Sequence, residues 1–340
     1  MSAVCNSSDG GSALVSKQGY INGLVYDPNA LATAPASELL QTADMVRVGL
    51  AGSIRDYPMT TYLDRSQTLQ EIDYSGQRAG YVSEPGEVVN YVENHDNQTL
   101  FDINAYKLPV NTSREDRVRV QMLGTAINAF SQGVAYFHAG IDTLRSKSMD
   151  GNSYDSGDWF NRLDWSYQDN YFGSGAPPKA DNGGNYNLIK PLLANPDIKP
   201  GSGDIALARD MFRDLLKIRA SSTLFRLRTA QDIKARLHFF NTGSKQNPTL
   251  LAGHLHGVGY PGAAFKELLY LVNVGKTAQP LLLPSEAGKS YLLHPVHLDL
   301  RAADKRVAEQ SRFDRTSGTF VIPARTALVY VVALERPGGP

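Results

Sequence analysis

Between residues 87 and 93 the chain sets Val88, Val89 and Val92 beside Tyr91, a short β-branched and aromatic run. Such a run predicts a strand covered on both faces, as in a parallel α/β sheet. It stops at Glu93-Asn94-His95-Asp96-Asn97, a polar cluster at the carboxyl end, where α/β barrels and open α/β sheets hold their chemistry. An Asx-type turn that caps the next element accounts for the same residues. Upstream, residues 34–48 space Leu39, Leu40, Ala43 and Val46 as a helix does, with Pro35 near the start and a break from Gly49 to Ser53. Downstream, Thr112-Ser113 caps a predicted helix from Arg114 to about Ser131. Its Val118, Val120, Met122, Leu123, Ile127 and Phe130 face inward and leave an Arg-rich outer face. Gly133 closes that helix, and Val134-Ala135-Tyr136-Phe137 begins a second short buried strand. Strand, helix and strand in this order make a βαβ unit with parallel strands.

A polar stretch, rich in Asn, Asp, Gly, Ser and Tyr, then runs from Asp142 to about Gly203. A loop of that length is functional or disordered, and its aromatic content favours order. Residues 204–220 predict a further helix, with Ile205, Ala208, Met211, Phe212, Leu215 and Ile218 on its apolar side. From about Leu224 the texture changes to short β-like runs at 237–240, 267–274, 279–283, 291–296, 319–322 and 326–334, separated by turn residues. That spacing predicts an antiparallel sandwich, with a domain boundary near 223. The fold class is therefore α/β plus all-β.

The 34 Lys and Arg balance the 34 Asp and Glu, which argues against a nucleic-acid coat or a basic membrane-surface protein. One cysteine, Cys5, excludes an intrachain disulfide framework and a Cys-rich metal site. No run of 18 apolar residues predicts a membrane span. Residues 1–11 have neither the charged nor the apolar region of a signal peptide and read like the middle of a loop.

The polar insert carries the second strong signal. Leu144-Arg145-Ser146-Lys147 is followed by Tyr154-Asp155-Ser156-Gly157-Asp158-Trp159-Phe160-Asn161-Arg162, then Asp164-Trp165. Flat aromatic faces beside carboxylate, amide and guanidinium groups suit a sugar ring: its C–H face stacks and its hydroxyls take paired donors and acceptors. Asp155 to Arg162 is read as a functional cluster, while Trp165 is expected to pack beneath a folded loop.

On these residues the chain resembles the pullulanase and limit-dextrinase branch of the α-amylase superfamily, glycoside hydrolase family 13. Residues 91–97 look like that family's fourth short conserved region at the end of the seventh barrel strand, and residues 133–140 look like the eighth strand. The Arg145 and Tyr154 to Arg162 motifs look like the loop after it, and Ser53-Ile54-Arg55-Asp56-Tyr57 also fits. The resemblance implies retaining hydrolysis of α-1,6-glucosidic linkages in pullulan, starch or glycogen. It implies that residues 1–223 form the C-terminal portion of a (β/α)8 barrel, followed at 224–340 by a β-sandwich. Asp96 matches the family's third carboxylate, which steadies the transition state, and His95 its sugar-binding neighbour. Asn97, Arg145, Asp155, Asp158, Trp159 and Arg162 are the implied substrate-binding residues.

The family's nucleophile and general-acid segments should precede Val88, yet nothing in residues 1–87 matches either. A whole barrel needs eight strands and about 250 residues. The expectation is therefore a piece of a larger enzyme, inactive alone, with the upstream part needed to complete the barrel. Such a piece would expose apolar surface. Relatives are often secreted, periplasmic or plastidial.

Two rivals remain. One is a non-catalytic α-glucan-binding module that uses the tryptophan-bearing insert. The other is a metal hydrolase on His95, Asp96 and His138, which lacks paired histidines at ligand spacing. His254-Leu255-His256 lies in a Gly-rich stretch that reads as a hairpin region. No cofactor is required. Asp- and Asn-rich loops suit calcium, but no countable ligand set assigns a site.

Overall fold

The structure, a computed structural model, describes residues 2–6 and 11–334. Cα proximity groups them into two units. The first holds residues up to Thr42, Tyr91–Thr125 and Tyr136–Phe212; the second holds Ala43–Asn90, Ala126–Ala135 and the chain from Arg213 onward. Each is discontinuous in sequence, whereas the change of texture near 223 is a single cut. No helix among the described residues is long and apolar enough to cross a membrane.

Besides two short two-stranded antiparallel pairs within residues 58–78, the second unit contains two larger antiparallel sheets. One has five strands in the order Leu292–Leu293, Thr326–Ala333, Phe265–Asn273, Leu250–His256 and Leu237–Phe240. The other has three, Gln279–Leu282, Thr319–Ile322 and Arg312–Asp314. In the larger sheet Thr326 pairs with Asn273 and Val332 with Glu267, and the register shifts at Ala333. Leu250, Leu269, Leu271, Leu328 and Tyr330 from one sheet meet Leu281, Phe320 and Ile322 from the other in one buried cluster. Inward residues of both sheets thus build a sandwich core. The run at 291–296 is shorter than expected: its strand is two residues long, and Pro295 opens a helical turn to Leu298. Pro at the first helical position fits there because its missing N–H needs no partner. The stretch read as a hairpin region around His254 is one: the inner strand Leu250–His256 turns through the Gly-rich residues 257–264 and pairs antiparallel with Phe265–Asn273.

The predicted strand at 87–93 shrinks to Val89–Asn90, paired in parallel with Val134–Ala135. The parallel sense is as expected, but the expectation of two covered faces is corrected. Val88, Asn90 and Val92 are buried, whereas Val89, Tyr91, Val134 and Tyr136 are exposed. A pleat points successive side chains to opposite faces, and only one face here meets a core.

The expected helices are present at Ala36–Leu50, Arg114–Phe130 and Ser202–Ser221. The Arg-rich outer face of the second is also corrected, since Arg117 and Arg119 are buried. Arg117 donates to the carbonyls of Pro109, Val110 and Thr112, and so satisfies the chain that enters the helix. A helix missing from the expectation, Leu100–Lys107, follows the His-Asp step, and all eight of its residues are buried. Helices buried on every side carry no polar stripe, so the 3.6-residue period is lost. Gln18 helps hold its end, because its Nε2 donates to Lys107 O at 2.9 Å and to Asn22 O at 2.7 Å.

The long insert is ordered into short helical turns, Ser153–Asp155, Asp158–Asn161 and Lys179–Asn182, and an eight-residue helix, Tyr186–Leu193. Its order comes from side chains that act as backbone acceptors. Asp164 takes Ser166 Oγ at 2.5 Å and the amides of Ser166, Gln168 and Asp169 at 2.8–2.9 Å. These bonds, that of the Ser166 hydroxyl first, pull its pKa down to about 2.

Candidate active site

The loop after Val92 is built by its own polar side chains. Asn94 Oδ1 accepts the Asp96 amide at 2.8 Å, an Asx turn, and Asn97 takes the left-handed conformation at φ 57° that Asn tolerates. The turn and the functional reading are compatible, since the turn projects Asp96 outward. The His95 and Asp96 side chains are 81% and 68% exposed, with Nε2 and Oδ1 3.4 Å apart. Asn97 is exposed beside them. Thr99 then N-caps the buried helix by accepting the Asp102 amide at 3.2 Å, and Glu93 accepts the Leu100 amide.

Buried charges hold this loop from below. Asp102 is fully buried and accepts Ser146 Oγ at 2.5 Å, Lys147 N at 2.8 Å and Met149 N at 3.2 Å. Burial lifts its pKa to about 6 against the pull of those bonds. Lys147, also buried, donates from Nζ to His95 O at 3.3 Å. Burial pulls its ammonium down, while Asp102 and Asp150 support the charge.

Arg145, expected to bind sugar, is buried instead. Its Nη2 donates to Asn161 O at 2.7 Å, and Nη1 lies 3.4 Å from His138 Nε2 and from Ala139 O. His138 Nδ1 faces Glu93 Oε1 at 3.3 Å. Both ring nitrogens are thereby engaged, which leaves the metal-hydrolase reading no free His138 nitrogen.

The insert presents the remaining expected residues. Asp155 and Asp158 are exposed, and Asp158 opens the Asp158–Asn161 turn. Trp159 is 54% exposed, with Nε1 donating to Ser174 O at 3.1 Å. The Arg162 guanidinium sits between two rings, 3.9 Å from that of Trp159 and 3.8 Å from that of Tyr171. This cation–π stack stiffens both partners. Trp165, expected beneath the loop, is 56% exposed, a correction with a local cause: the Asp164 turn is closed by hydrogen bonds rather than by an indole. Reading the sequence missed Glu93, Lys147 and Tyr171. Glu93, two residues before His95, and Lys147, two after Arg145, lay within motifs already singled out, whereas nothing marked Tyr171.

One group among the described residues has metal-ligand chemistry: His254, Glu267 and Glu286 in the second unit. A resident cation already sits on it. Lys289 Nζ lies 2.7 Å from Glu267 Oε2 and 2.8 Å from Glu286 Oε2, and Tyr291 OH donates to the same oxygens at 3.0 and 2.6 Å. Hydrogen bonds from His254 and Lys289 hold Glu267 down at about 2 against its burial. The cluster is a closed ionic network that ties strand to turn.

Residues 167–333 match the family model for the C-terminal region of pullulanase-type alpha-1,6-glucosidases. Chloroplastic pullulanase 1 of Arabidopsis thaliana is 41% identical over 330 residues, spanning 93% of this chain and 34% of that protein. Pullulanase of Klebsiella pneumoniae is 35% identical over 340 residues, or 97% and 30%. The crystal structure of PulA from Klebsiella oxytoca matches with a TM-score of 0.90 at 32% identity, over 99% of this chain and 32% of that one. A maltotriose complex of Klebsiella pneumoniae PulA matches at 0.91, with 32% identity, over 99% and 37%. These are glycosidases, and the likeness runs along nearly the whole chain. The chain belongs to the pullulanase-type branch of the amylase family and corresponds to its C-terminal region. It spans about a third of the length of these relatives.

Proposed function

We propose that this chain is the C-terminal part of a debranching enzyme of the pullulanase and limit-dextrinase type. It acts on α-1,6-glucosidic linkages in pullulan, starch or glycogen with retention. The observation that carries the reading is the exposed His95–Asp96 pair, projected by its Asx turn within the same unit as the Trp159–Arg162 stack. A retaining glycosidase splits the bond with a carboxylate nucleophile and a carboxylic acid, through a cationic, oxocarbenium-like transition state. Asp96 supplies a third carboxylate that stabilises this cation and accepts sugar hydroxyls, with His95 and Asn97 beside it. Asp155, Asp158, Trp159 and Arg162 hold the glucan. The nucleophile and acid come from outside these 340 residues, on the barrel strands that residues 1–223 would complete. The maltotriose complex of a similar pullulanase supports a glucan as ligand.

Affinity electrophoresis in pullulan tests the binding arm. The chain is expected to be retarded, with the retardation lost on Trp159→Ala; unaltered mobility of the wild type would reject the reading. The purified chain is expected to release no maltotriose, and robust turnover would overturn the assignment of the missing carboxylates. A non-catalytic glucan module is favoured by the exposure of Trp165 as well as Trp159. It predicts retardation that persists in Asp96→Ala, whereas a transition-state site predicts that Asp96→Ala abolishes hydrolysis once the upstream part is supplied.

A further inference from the structure

We infer that Glu93 holds His138 as its Nδ1–H tautomer, so that the Nε2 lone pair accepts from Arg145 and the pair positions that guanidinium against Asn161. The inference rests on the glucan-site reading for its functional consequence, though not for its chemistry.

The chemistry is a matter of counting donors. Arg145 Nη1, 3.4 Å from His138 Nε2, can only donate. Nε2 must therefore carry a lone pair. The single proton of the neutral ring is then on Nδ1, 3.3 Å from Glu93 Oε1, and a carboxylate only accepts. The two neighbours, on opposite sides of the ring, demand the same tautomer. With Glu93 and His138 at 2% and 10% side-chain exposure, water is a poor substitute for either partner. A second proton on Nε2 would set donor against donor and cation against cation. Burial pulls the Arg145 guanidinium down, the Glu93 and Asp102 carboxylates support it, and the Lys147 ammonium opposes it.

This chain of contacts reaches both halves of the candidate site. The other Glu93 oxygen takes the Leu100 amide, which closes the loop bearing His95, Asp96 and Asn97. At the far end Arg145 Nη2 holds Asn161 O at 2.7 Å, and Asn161 Nδ2 donates to Ser153 O at 2.7 Å and Gly157 O at 2.9 Å. The turn fixed in this way carries Asp158, Trp159 and Arg162. Glu93, His138 and Arg145 are thus positioning residues, and the orientation of one imidazole registers the Asp96 loop against the aromatic platform.

Long-range proton–nitrogen-15 correlation on the full 340-residue chain at neutral pH reads the tautomer directly. His138 is expected to show a protonated-type Nδ1 and a pyridine-type Nε2; the Nε2–H form or an imidazolium would overturn the assignment. Glu93→Gln keeps the size and can still accept from Leu100, but its amide NH2 then faces Nδ1 while Arg145 still faces Nε2, so neither neutral tautomer is satisfied on both sides. The expected result is loss of the single Nδ1–H signature, with maltotriose affinity reduced on the order of tenfold. Should that variant not fold, the wild-type spectrum decides alone. A wild type that binds maltotriose no better than Glu93→Gln does would remove the positioning role. A wild type with the Nδ1–H signature and no maltotriose binding would sink the glucan reading and leave the tautomer standing.

Discussion

Asp96 and Asp102 are the same residue type six positions apart, yet they do opposite things. One is open to solvent beside His95; the other is sealed under three hydrogen bonds. The buried one has a measurable consequence. Its folded pKa of about 6 lies above the ordinary 3.8, so the folded state binds its proton first as pH falls. Its contribution to stability is complete below about 4 and is lost as pH rises through about 6. The loss amounts to about 3 kcal/mol for such a shift. Urea unfolding of wild type and Asp102→Asn at acid and neutral pH should therefore show the difference between them moving in favour of the wild type at the lower pH. A difference independent of pH would mean that Asp102 titrates as a solvent-exposed acid does.

At the scale of elements, amphipathic ones were legible and buried ones were not. Arg114–Phe130 and Ser202–Ser221 lie within two residues of their expected bounds because one side is apolar. Thr319–Ile322 coincides with its alternating run. The Leu100–Lys107 helix escaped because nothing marks an outer face, although Thr99 was there to cap it. Thr99→Ala should cost about 1 kcal/mol, read as a lower denaturant midpoint, and Thr99→Ser should recover most of it. An unchanged midpoint in the alanine variant would show that the helix start is held by Glu93 alone. The hairpin around His254 was legible from its glycines, which serve two purposes. Gly257, Gly259 and Gly262 lie in the connection, while Gly253 stands mid-strand because the Tyr270 ring occupies the space of its Cβ, a close approach between neighbouring strands.

At the scale of the molecule, the second unit is organised around aromatic contacts between its sheets. Phe320 is fully buried, with ring centroids of Phe313, Tyr330 and Tyr291 at 4.4, 5.2 and 5.5 Å. Phe320→Ala should cost about 3–5 kcal/mol, because the three neighbouring rings cannot collapse into the void that it leaves. Denaturant unfolding followed by aromatic circular dichroism checks it, and a loss below 1 kcal/mol would mean that the sandwich core repacks freely. The periods of the strands and helices, the balance of charge and the motifs around residues 91–97 and 154–162 were determined by the chain's own order of side chains, since each depends on neighbours a few positions away. Which acid is open and which is sealed, which arginine meets solvent and which meets a histidine, was decided only by folding. Burial and hydrogen-bond partnership sum over residues such as 102 and 146–149, or 93 and 138, that local sequence does not bring together.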